Sequence, residues 1–413
     1  WKVLNIILKN KGNIFDSLNA GQKALSLDPN DPETYYNVAN TLKQLNKLDQ
    51  AIDYYQNAIK LNSNYIEAYN NLAIAEKENG NLEETINIYN KLITISPNFA
   101  EAYNNLGIVL RDSNRLKDAE KSYKKAIQIN PNYAEAYNNL GITFRELGKL
   151  NESVNSYKKA IKLKPNYAEA YNNLGVILRD LGEIKESETN YLKAIKLEPN
   201  YAVGYYNLGV TLRELGKLHD SEESYRKAIK LKPKYSEAYN NLGIVLRELG
   251  KLDESEATFK KVIALKPNYA DAYNNLSFTL LQKYDFKHAF ELYEWRWKTE
   301  GESEKQLISS KPTWKGENNS RIYVWREQGI GDEIMFCSIL PELKDLTKKL
   351  VINCDKRLIP LFERSLPKNY IYETHKKKIK DEEYDYHISM GSLRRIFRND
   401  LKSFENSSGG YLK

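Results

Sequence analysis

The sequence has little cysteine and no long apolar segment. Its 413 residues include two Cys, two Met and four His, which are too few for a disulfide framework or a Cys/His metal site. No run of 18 apolar residues occurs, so no membrane-spanning helix is expected. The scarcity of cysteine fits a reducing compartment. We therefore expect a cytoplasmic protein without a bound metal.

The sequence also lacks a concentrated block of charge. The formal net charge is +7, and 28% of residues are charged, but residues 301–413 mix both signs and form no basic arm. A nucleic-acid partner is therefore not expected. The chain opens on Trp1 rather than an initiator Met, so we expect its natural start to lie elsewhere.

What the sequence does contain is a 34-residue repeat. The segment NYAEAYNNLGITFRELGKLNESVNSYKKAIKLKP (132–165) is followed by the closely similar NYAEAYNNLGVILRDLGEIKESETNYLKAIKLEP (166–199). This period and pattern resemble the tetratricopeptide repeat (TPR), a helix–turn–helix unit. Eight repeats fit residues 32–298, after a partial repeat that begins at Trp1. We predict an all-α TPR superhelix, an α-solenoid, over residues 1–298.

Recurring glycine and asparagine positions explain how each repeat turns. Gly148 and its equivalents follow the first helix, where a left-handed C′ residue is favoured. Asn46 and Asn114 replace glycine there, and Asn is the next best residue for that conformation. Gly107 and its equivalents lie within the first helix, where a missing side chain lets the second helix approach closely.

We expect the first helices to line a concave groove that binds a protein or peptide. An Asn recurs at one inward position in every full repeat. These residues are Asn37, Asn71, Asn105, Asn139, Asn173, Asn207, Asn241 and Asn275. The Asn amide carries two donor hydrogens and an acceptor oxygen, which suits an extended peptide backbone. The alternative is structural: recent duplication copied the Asn without a binding purpose, or each Asn bonds within its own repeat.

An arginine stripe accompanies the asparagines. It comprises Arg111, Arg145, Arg179, Arg213 and Arg247. These residues either contact a bound peptide or form a solvated charged face that the neighbouring acids balance.

The last repeat departs from the pattern. Ser277 replaces a helix glycine, Tyr284 replaces the turn glycine, and Arg296 replaces a small residue. We interpret this repeat, with the linker 299–320, as a junction that packs against a second domain.

Residues 321–413 alternate between strand and helix patterns. RIYVW, LVINC, YIYET and DYHISM are predicted strands, and residues 333–350 and 356–366 are predicted helices. This alternation predicts an α/β layer with a parallel sheet. Gly329, Gly331 and Asp332 follow the first strand, where a tight turn before a helix commonly faces a ligand. His387 and both cysteines are predicted to be buried, and His375 in HKKKIK to be solvated.

Several motifs together resemble a known family. LYEWRWKTE, KPTWKG, WREQGIGDEIMFCSILPEL and CDKRLIPLFERSLP resemble bacterial TPR glycosyltransferases of the GT-B type. These are similar to O-linked N-acetylglucosamine transferase and to the ADP-heptose heptosyltransferases. The resemblance implies that 321–413 is an incomplete, Rossmann-like first half. The nucleotide-sugar donor would then bind a second half beyond residue 413, and this chain alone would hold no cofactor and be inactive.

The resemblance also implies a catalytic role for Asp332, as the base that takes a proton from a sugar acceptor. A purely structural helix N-cap is the alternative for the same residue. Glu327, Gln328 and Glu333 are further candidates for the base. For the whole chain, the competing hypothesis is a non-catalytic TPR scaffold for protein–protein interaction.

Overall fold

The computed structural model describes residues 1–299, 306–327, 329–374, 380–407 and 412. The chain divides into two compact units, Trp1–Asn207 and Leu208–Lys413, and each is considered by itself. Within the described ranges, no helix is both long enough and apolar enough to cross a membrane.

The first unit is built of antiparallel helix pairs. Its helices are α1 (Lys2–Asn10), α2 (Ile14–Leu27), α3 (Pro32–Gln44), α4 (Leu48–Leu61), α5 (Ile66–Glu78), α6 (Leu82–Ile95), α7 (Ala100–Asp112), α8 (Leu116–Ile129), α9 (Ala134–Glu146), α10 (Leu150–Leu163), α11 (Ala168–Asp180) and α12 (Ile184–Leu197). Odd-numbered helices from α3 onward are the first helices of their repeats. The helix α13 (Ala202–Glu214) contains the boundary between the two units.

The second unit contains further helix pairs and a sheet. Its repeat helices are α14 (Leu218–Leu231), α15 (Ser236–Glu248), α16 (Leu252–Leu265), α17 (Ala270–Gln282) and α18 (Phe286–Tyr293), followed by a 3-10 helix, Glu294–Lys298. The predicted 34-residue helical repeat is therefore present in both units.

The predicted left-handed turns are confirmed. Gly148 has φ +73° and Asn114 has φ +58°, and the amides that follow the first helix bond back into its last turn, as in Arg115 N–H to Leu110 O at 2.8 Å. Tyr284 adopts the same conformation at φ +61°. A bulky L-residue is disfavoured there, so the last repeat keeps the turn at a local energetic cost.

Close packing explains the glycines within the first helices. A Cβ added at Gly107 would lie 2.6 Å from the ring of Tyr123, and one at Gly141 would lie 2.7 Å from that of Tyr157. Both tyrosine rings are fully buried. The aromatic side chain of the second helix therefore rests directly on the backbone of the first, and any side chain at the glycine would displace it.

Serine adds a bond that its small size alone does not predict. The hydroxyl of Ser153 on α10 donates to the carbonyl oxygen of Gly141 at 2.7 Å. The same bond joins Ser187 to Gly175, Ser221 to Gly209 and Ser255 to Gly243. The glycine that contacts the aromatic ring therefore also holds the second helix, because its carbonyl oxygen accepts the serine hydrogen bond.

The α/β layer lies within the second unit. Its strands are β1 (Ser320–Trp325), β2 (Thr347–Cys354), β3 (Ile371–Thr374) and β4 (Tyr386–Ser389). They form an all-parallel sheet in the order β3-β2-β1-β4. Its helices are α19 (Ile330–Phe336), α20 (Ile359–Ser365) and α21 (Arg394–Phe397). The predicted parallel sheet is confirmed.

The predicted helix at 333–350 was wrong in extent. The helix α19 ends at Phe336, and a 3-10 helix, Cys337–Leu343, follows it. Pro341 lies inside this segment and cannot donate the backbone hydrogen bond of a continuing helix. The strand β2 already begins at Thr347.

The predicted buried residues of the layer are confirmed. Cys337 and Cys354 are fully buried, and burial raises the pKa of both thiols to about 12, so neither is a reactive thiolate. His387 is 7% exposed and its Nδ1 accepts from Trp325 Nε1 at 3.2 Å. His375 lies outside the described residues.

Candidate functional site

The recurring asparagines bond from repeat to repeat. Asn139 Nδ2 donates to Asn104 Oδ1 at 3.0 Å, and Asn173 Nδ2 donates to Asn138 Oδ1 at 3.1 Å. Equivalent bonds run from Asn207 to Asn172 at 2.9 Å and from Asn275 to Asn240 at 3.2 Å. The acceptor in each case is the Asn that stands one position before the recurring Asn of the neighbouring repeat. This position is less regular, since Tyr36 and Tyr206 occupy it in two repeats. We call this set of bonds the asparagine ladder.

The ends of the asparagine ladder are open. Asn37 Nδ2 and Asn274 Oδ1 are buried, and neither has a hydrogen-bond partner among the described residues. Asn37 is the first donor position and Asn274 the last acceptor position of the series. The ladder therefore supplies contacts between neighbouring repeats, whereas the structural alternative expected bonds within one repeat, and peptide binding by these residues stays a prediction. Each donor Asn of the ladder is only partly buried, whereas acceptors such as Asn104 and Asn138 are buried. The ladder bond uses one of the three hydrogen-bonding positions of the donor amide.

Most arginines of the basic stripe contact a neighbouring repeat, and Arg111 contacts its own. Arg145 lies 3.8 Å from Asp180, and Arg213 lies 2.5 Å from Glu248. Lysines occupy the same position in earlier repeats and also form ion pairs with the next repeat. Lys43 lies 3.0 Å from Glu78, and Lys77 lies 2.8 Å from Asp112. Arg111 is 3.5 Å from Asp112, and Arg247 donates to the carbonyl oxygen of Asn275 at 3.1 Å. These pairs favour the interpretation of a balanced, partly solvated face.

An apolar pocket of about 400 Å³ opens on the surface of first helices in the first unit. It is lined by Ile74, Lys77, Glu78, Tyr89, Asn105, Ile108 and Val109. Ile74 and Ile108 are equivalent positions of consecutive repeats. The ladder bond at this point is long, since Asn105 Nδ2 lies 3.5 Å from Asn70 Oδ1. The sequence did not single out this pocket, because the same apolar position recurs in other repeats.

In the α/β layer, the turn after β1 differs from the prediction. The N-cap of α19 is Gly329, with φ −74° and ψ 170° and no capping side chain, and Asp332 lies in the first turn. The expectation that Asp332 caps this helix was therefore wrong. A Cβ at Gly329 or Gly331 would meet no atom of the described residues within 4 Å, so no steric requirement for glycine is visible there. Gln328 lies outside the described residues.

A charged cluster lies at the carboxyl ends of β1 and β2. Glu333 is 2% exposed, accepts from the Asp355 amide at 2.8 Å and lies 3.3 Å from Arg326 Nε. Burial raises the pKa of the Glu333 carboxyl, although the Asp355 amide and Arg326 oppose it. Arg357 Nε lies 2.9 Å from Asp355 and holds the pKa of that carboxyl below its usual range. Arg326, Asp355 and Arg357 were missed, although Asp355 directly follows a predicted strand.

The crevice between the carboxyl ends of β1 and β4 is filled by the chain itself. In parallel sheets whose strand order reverses at such a point, this crevice usually receives the ligand. Here Arg296 enters it and bonds Glu327 at 2.7 Å, Ser389 at 3.1 Å and Ser392 at 2.9 Å. The Arg296 side chain is 4% exposed and that of Glu327 is 1% exposed. Glu327, a candidate base from the sequence, is therefore held in a buried ion pair.

Comparison with known families agrees with the helical repeats. One model of the tetratricopeptide repeat matches residues 32–65 and 100–133. Two others match residues 122–155 and 206–270. A further TPR model matches residues 75–110, 143–178 and 175–216. The chain contains tetratricopeptide repeats.

Individual relatives of this TPR chain resemble it in part. Protein FlbA of Caulobacter vibrioides (strain ATCC 19089 / CIP 103742 / CB 15) is 38% identical over 60 residues, which are 13% of this chain and 10% of FlbA. The match thus spans about a tenth of that protein.

Among solved structures, the APC/C hetero-tetramer Cut9-Hcn1 is similar to this TPR chain with a TM-score of 0.50 at 16% identity, over 65% of this chain and 52% of that one. The MamA protein is similar with a TM-score of 0.37 at 30% identity, over 41% of this chain and 93% of MamA.

Proposed function

We propose that this chain is a TPR interaction scaffold whose first-helix surface binds an extended segment of a partner protein. The observation that carries the proposal is the 400 Å³ pocket between Ile74 and Ile108. Burying one aliphatic side chain contributes about 1.5–3 kcal/mol, which is enough to anchor a peptide at one residue.

The surroundings of the pocket suit a peptide backbone. Asn105 borders it, and its bonds are long, since its Nδ2 lies 3.5 Å from Asn70 Oδ1 and its Oδ1 lies 3.4 Å from Asn104 Nδ2. Lys77 and Glu78 also line it, and both are engaged in ion pairs at the surface. An apolar side chain would enter the pocket while Asn105 bonds the peptide backbone beside it.

Selection of phage-displayed random 12-residue peptides against the chain tests this proposal. We expect the selected peptides to share an apolar anchor residue and to lose at least tenfold in affinity against the variant Ile108→Glu. Val176→Glu, the same position two repeats later, is the matched control and should bind nearly normally. Equal loss in both variants, or none in Ile108→Glu, would exclude the pocket as the anchor site.

We propose as a second candidate that the α/β layer is the first half of a GT-B glycosyltransferase. Two observations favour it: the all-parallel order β3-β2-β1-β4, and Asp332 in the first turn after β1. Asp332 is partly exposed whereas Glu333 is buried, so Asp332 is the carboxylate that an acceptor could reach. A sugar acceptor and a nucleotide-sugar donor are the substrates this proposal requires.

Asp332→Asn tests the second candidate in the protein expressed from its complete gene. General base catalysis contributes about 10²–10⁴ in rate, so release of nucleotide from UDP-, GDP- or ADP-sugars should fall by that factor. The melting temperature should not change, because Asp332 does not cap α19. Glu383→Gln, also in the layer, is the control. Undiminished turnover would remove Asp332 from the mechanism.

A further inference from the structure

A second apolar pocket, of about 240 Å³, lies within the second unit between the last repeat and the α/β layer. Its lining consists of Leu281, Phe286, Phe290, Met335, Phe336, Ser338, Ile339, Arg394, Arg398 and Phe404. The walls are mostly aromatic and aliphatic, and two arginines border them.

Arg394 is held in this pocket mainly by aromatic rings. Its guanidinium carbon lies 5.0 Å from the ring centre of Phe290, 4.6 Å from that of Tyr293 and 4.3 Å from that of Phe336. Its Nε donates to the carbonyl oxygen of Gly391 at 3.0 Å. Its Nη2 is buried and has no hydrogen-bond partner among the described residues.

The neighbouring arginines are neutralised, which sets Arg394 apart. Arg398 bonds Glu342 at 2.5 Å, and Arg296 bonds both Glu327 and Glu294. Glu327 also accepts from the Gly391 amide, so its two oxygens are already engaged. Burial lowers the pKa of Arg394, and the Tyr293 side chain and the Glu327 charge only partly oppose this.

Arg394 as a whole is partly exposed, but no carboxylate bonds it among the described residues. Desolvating such a cation is costly, and an anion in contact with it would offset that cost. The rings already supply cation–π attraction of about 0.5–2 kcal/mol, but the Phe290 and Phe336 rings have no oxygen that could accept a hydrogen bond from Nη2. A cavity of about 150 Å³ accommodates benzene, so 240 Å³ holds one aromatic ring with a short acidic arm.

We propose that this pocket binds a small monocarboxylate with a compact apolar body, such as an arylacetate, whose carboxylate pairs with Arg394. The apolar body occupies the space between Phe286, Phe290 and Ile339. The proposed site uses neither Asp332 nor any residue of the peptide pocket, so it requires neither of those proposals.

Isothermal titration of the full chain with phenylacetate, and with the neutral 2-phenylethanol, tests the proposal. We expect phenylacetate to bind at least tenfold more tightly than the alcohol. Arg394→Met should abolish this preference and leave the two affinities similar. Arg395→Met removes a neighbouring charge that does not line the pocket, and it should bind both probes as the unaltered chain does.

Ser338→Phe provides a test that leaves the cation in place. Ser338 lines the pocket and is partly exposed, so the larger ring fills the cavity without displacing the core. Binding of both probes should be lost while the circular dichroism spectrum is unchanged. Phenylacetate binding that survives Ser338→Phe or is undiminished in Arg394→Met would overturn the proposal, as would no binding by the unaltered chain.

Discussion

The repeats and the α/β layer are stabilised by two different kinds of contact. In the repeats, equivalent residues bond to each other across one period, as in Asn139 to Asn104, and each bond recurs in other repeats. In the layer, Arg296, Glu327 and Gly391 meet once, from distant parts of the chain. In the repeats, the free energy of folding is divided among many equivalent contacts. In the layer, it depends on a few contacts that each occur once.

Removing the buried arginine should have the largest effect on stability. Arg296→Met leaves Glu327 buried without its partner, which costs about 3–5 kcal/mol. Arg226→Met is the control, because that side chain is 48% exposed and bonds Glu222 and Glu254 at the surface, where a pair contributes about 0–1 kcal/mol. Urea unfolding followed by tryptophan fluorescence measures both. Equal losses would contradict the contrast between single and periodic contacts.

Filling a repeat glycine should have a smaller effect. Gly141→Ala places a Cβ 2.7 Å from the Tyr157 ring, and the forced rearrangement should lower the free energy of unfolding by about 1–3 kcal/mol. Gly331→Ala in α19 is the matched control, since its Cβ meets nothing within 4 Å. That change should be neutral or slightly stabilising. Thermal unfolding distinguishes the two, and a stabilised Gly141→Ala would refute the packing argument.

Breaking one rung of the asparagine ladder should cost still less. Asn139→Ala leaves Asn104 Oδ1 without its donor, and we expect a loss of about 1 kcal/mol. Asn37→Ala removes a side chain whose Nδ2 has no hydrogen-bond partner in the part of the chain that the structure describes, so it should cost nothing or stabilise slightly. Hydrogen exchange of α9 and α3 reports each change locally. Identical behaviour of the two variants would show that the ladder bond contributes nothing.

The smallest expected effect is a gain. Tyr284→Gly relieves a left-handed tyrosine that is 67% exposed, and should raise the free energy of unfolding by a few tenths to about 1 kcal/mol. Lys283 precedes it at φ −87°, and Lys283→Gly, which gains no such relief, should destabilise. A melting temperature that falls in Tyr284→Gly would show that the tyrosine ring contributes more than its backbone costs.

The repeats were predictable because their signals lie in short, recurring sequence. Helix bounds, the left-handed turns and the helix glycines follow from local spacing at Gly148, Asn114 and Gly107. The layer's strands and their parallel pairing also followed from local alternation. Helix length after β1 did not, since Pro341 weakens a helical pattern without marking where it ends.

The contacts at the candidate sites could not be predicted in the same way. The partner of each ladder Asn lies in the adjacent repeat. The sequence shows that the Asn recurs but not which neighbouring residue its side chain bonds. Arg296 stood out as a departure from the repeat, yet its partner Glu327 was assigned a possible catalytic role. The cap role considered for Asp332 depended on where α19 begins. The helix begins at Ile330, three residues before the predicted start. Whether it or the peptide surface carries out a function stays a prediction.

The open ends of the asparagine ladder bear on how such a chain changes in length during evolution. Most internal repeats carry Asn at both the donor and the acceptor position, although Tyr206 occupies one acceptor position, so duplication or deletion of a whole 34-residue segment by recombination rejoins compatible surfaces. The last repeat is the exception, because its Arg296 fits only the crevice beside Glu327. Copy number can therefore drift in the interior of the array, while the copy next to the α/β layer is inherited as one unit with it.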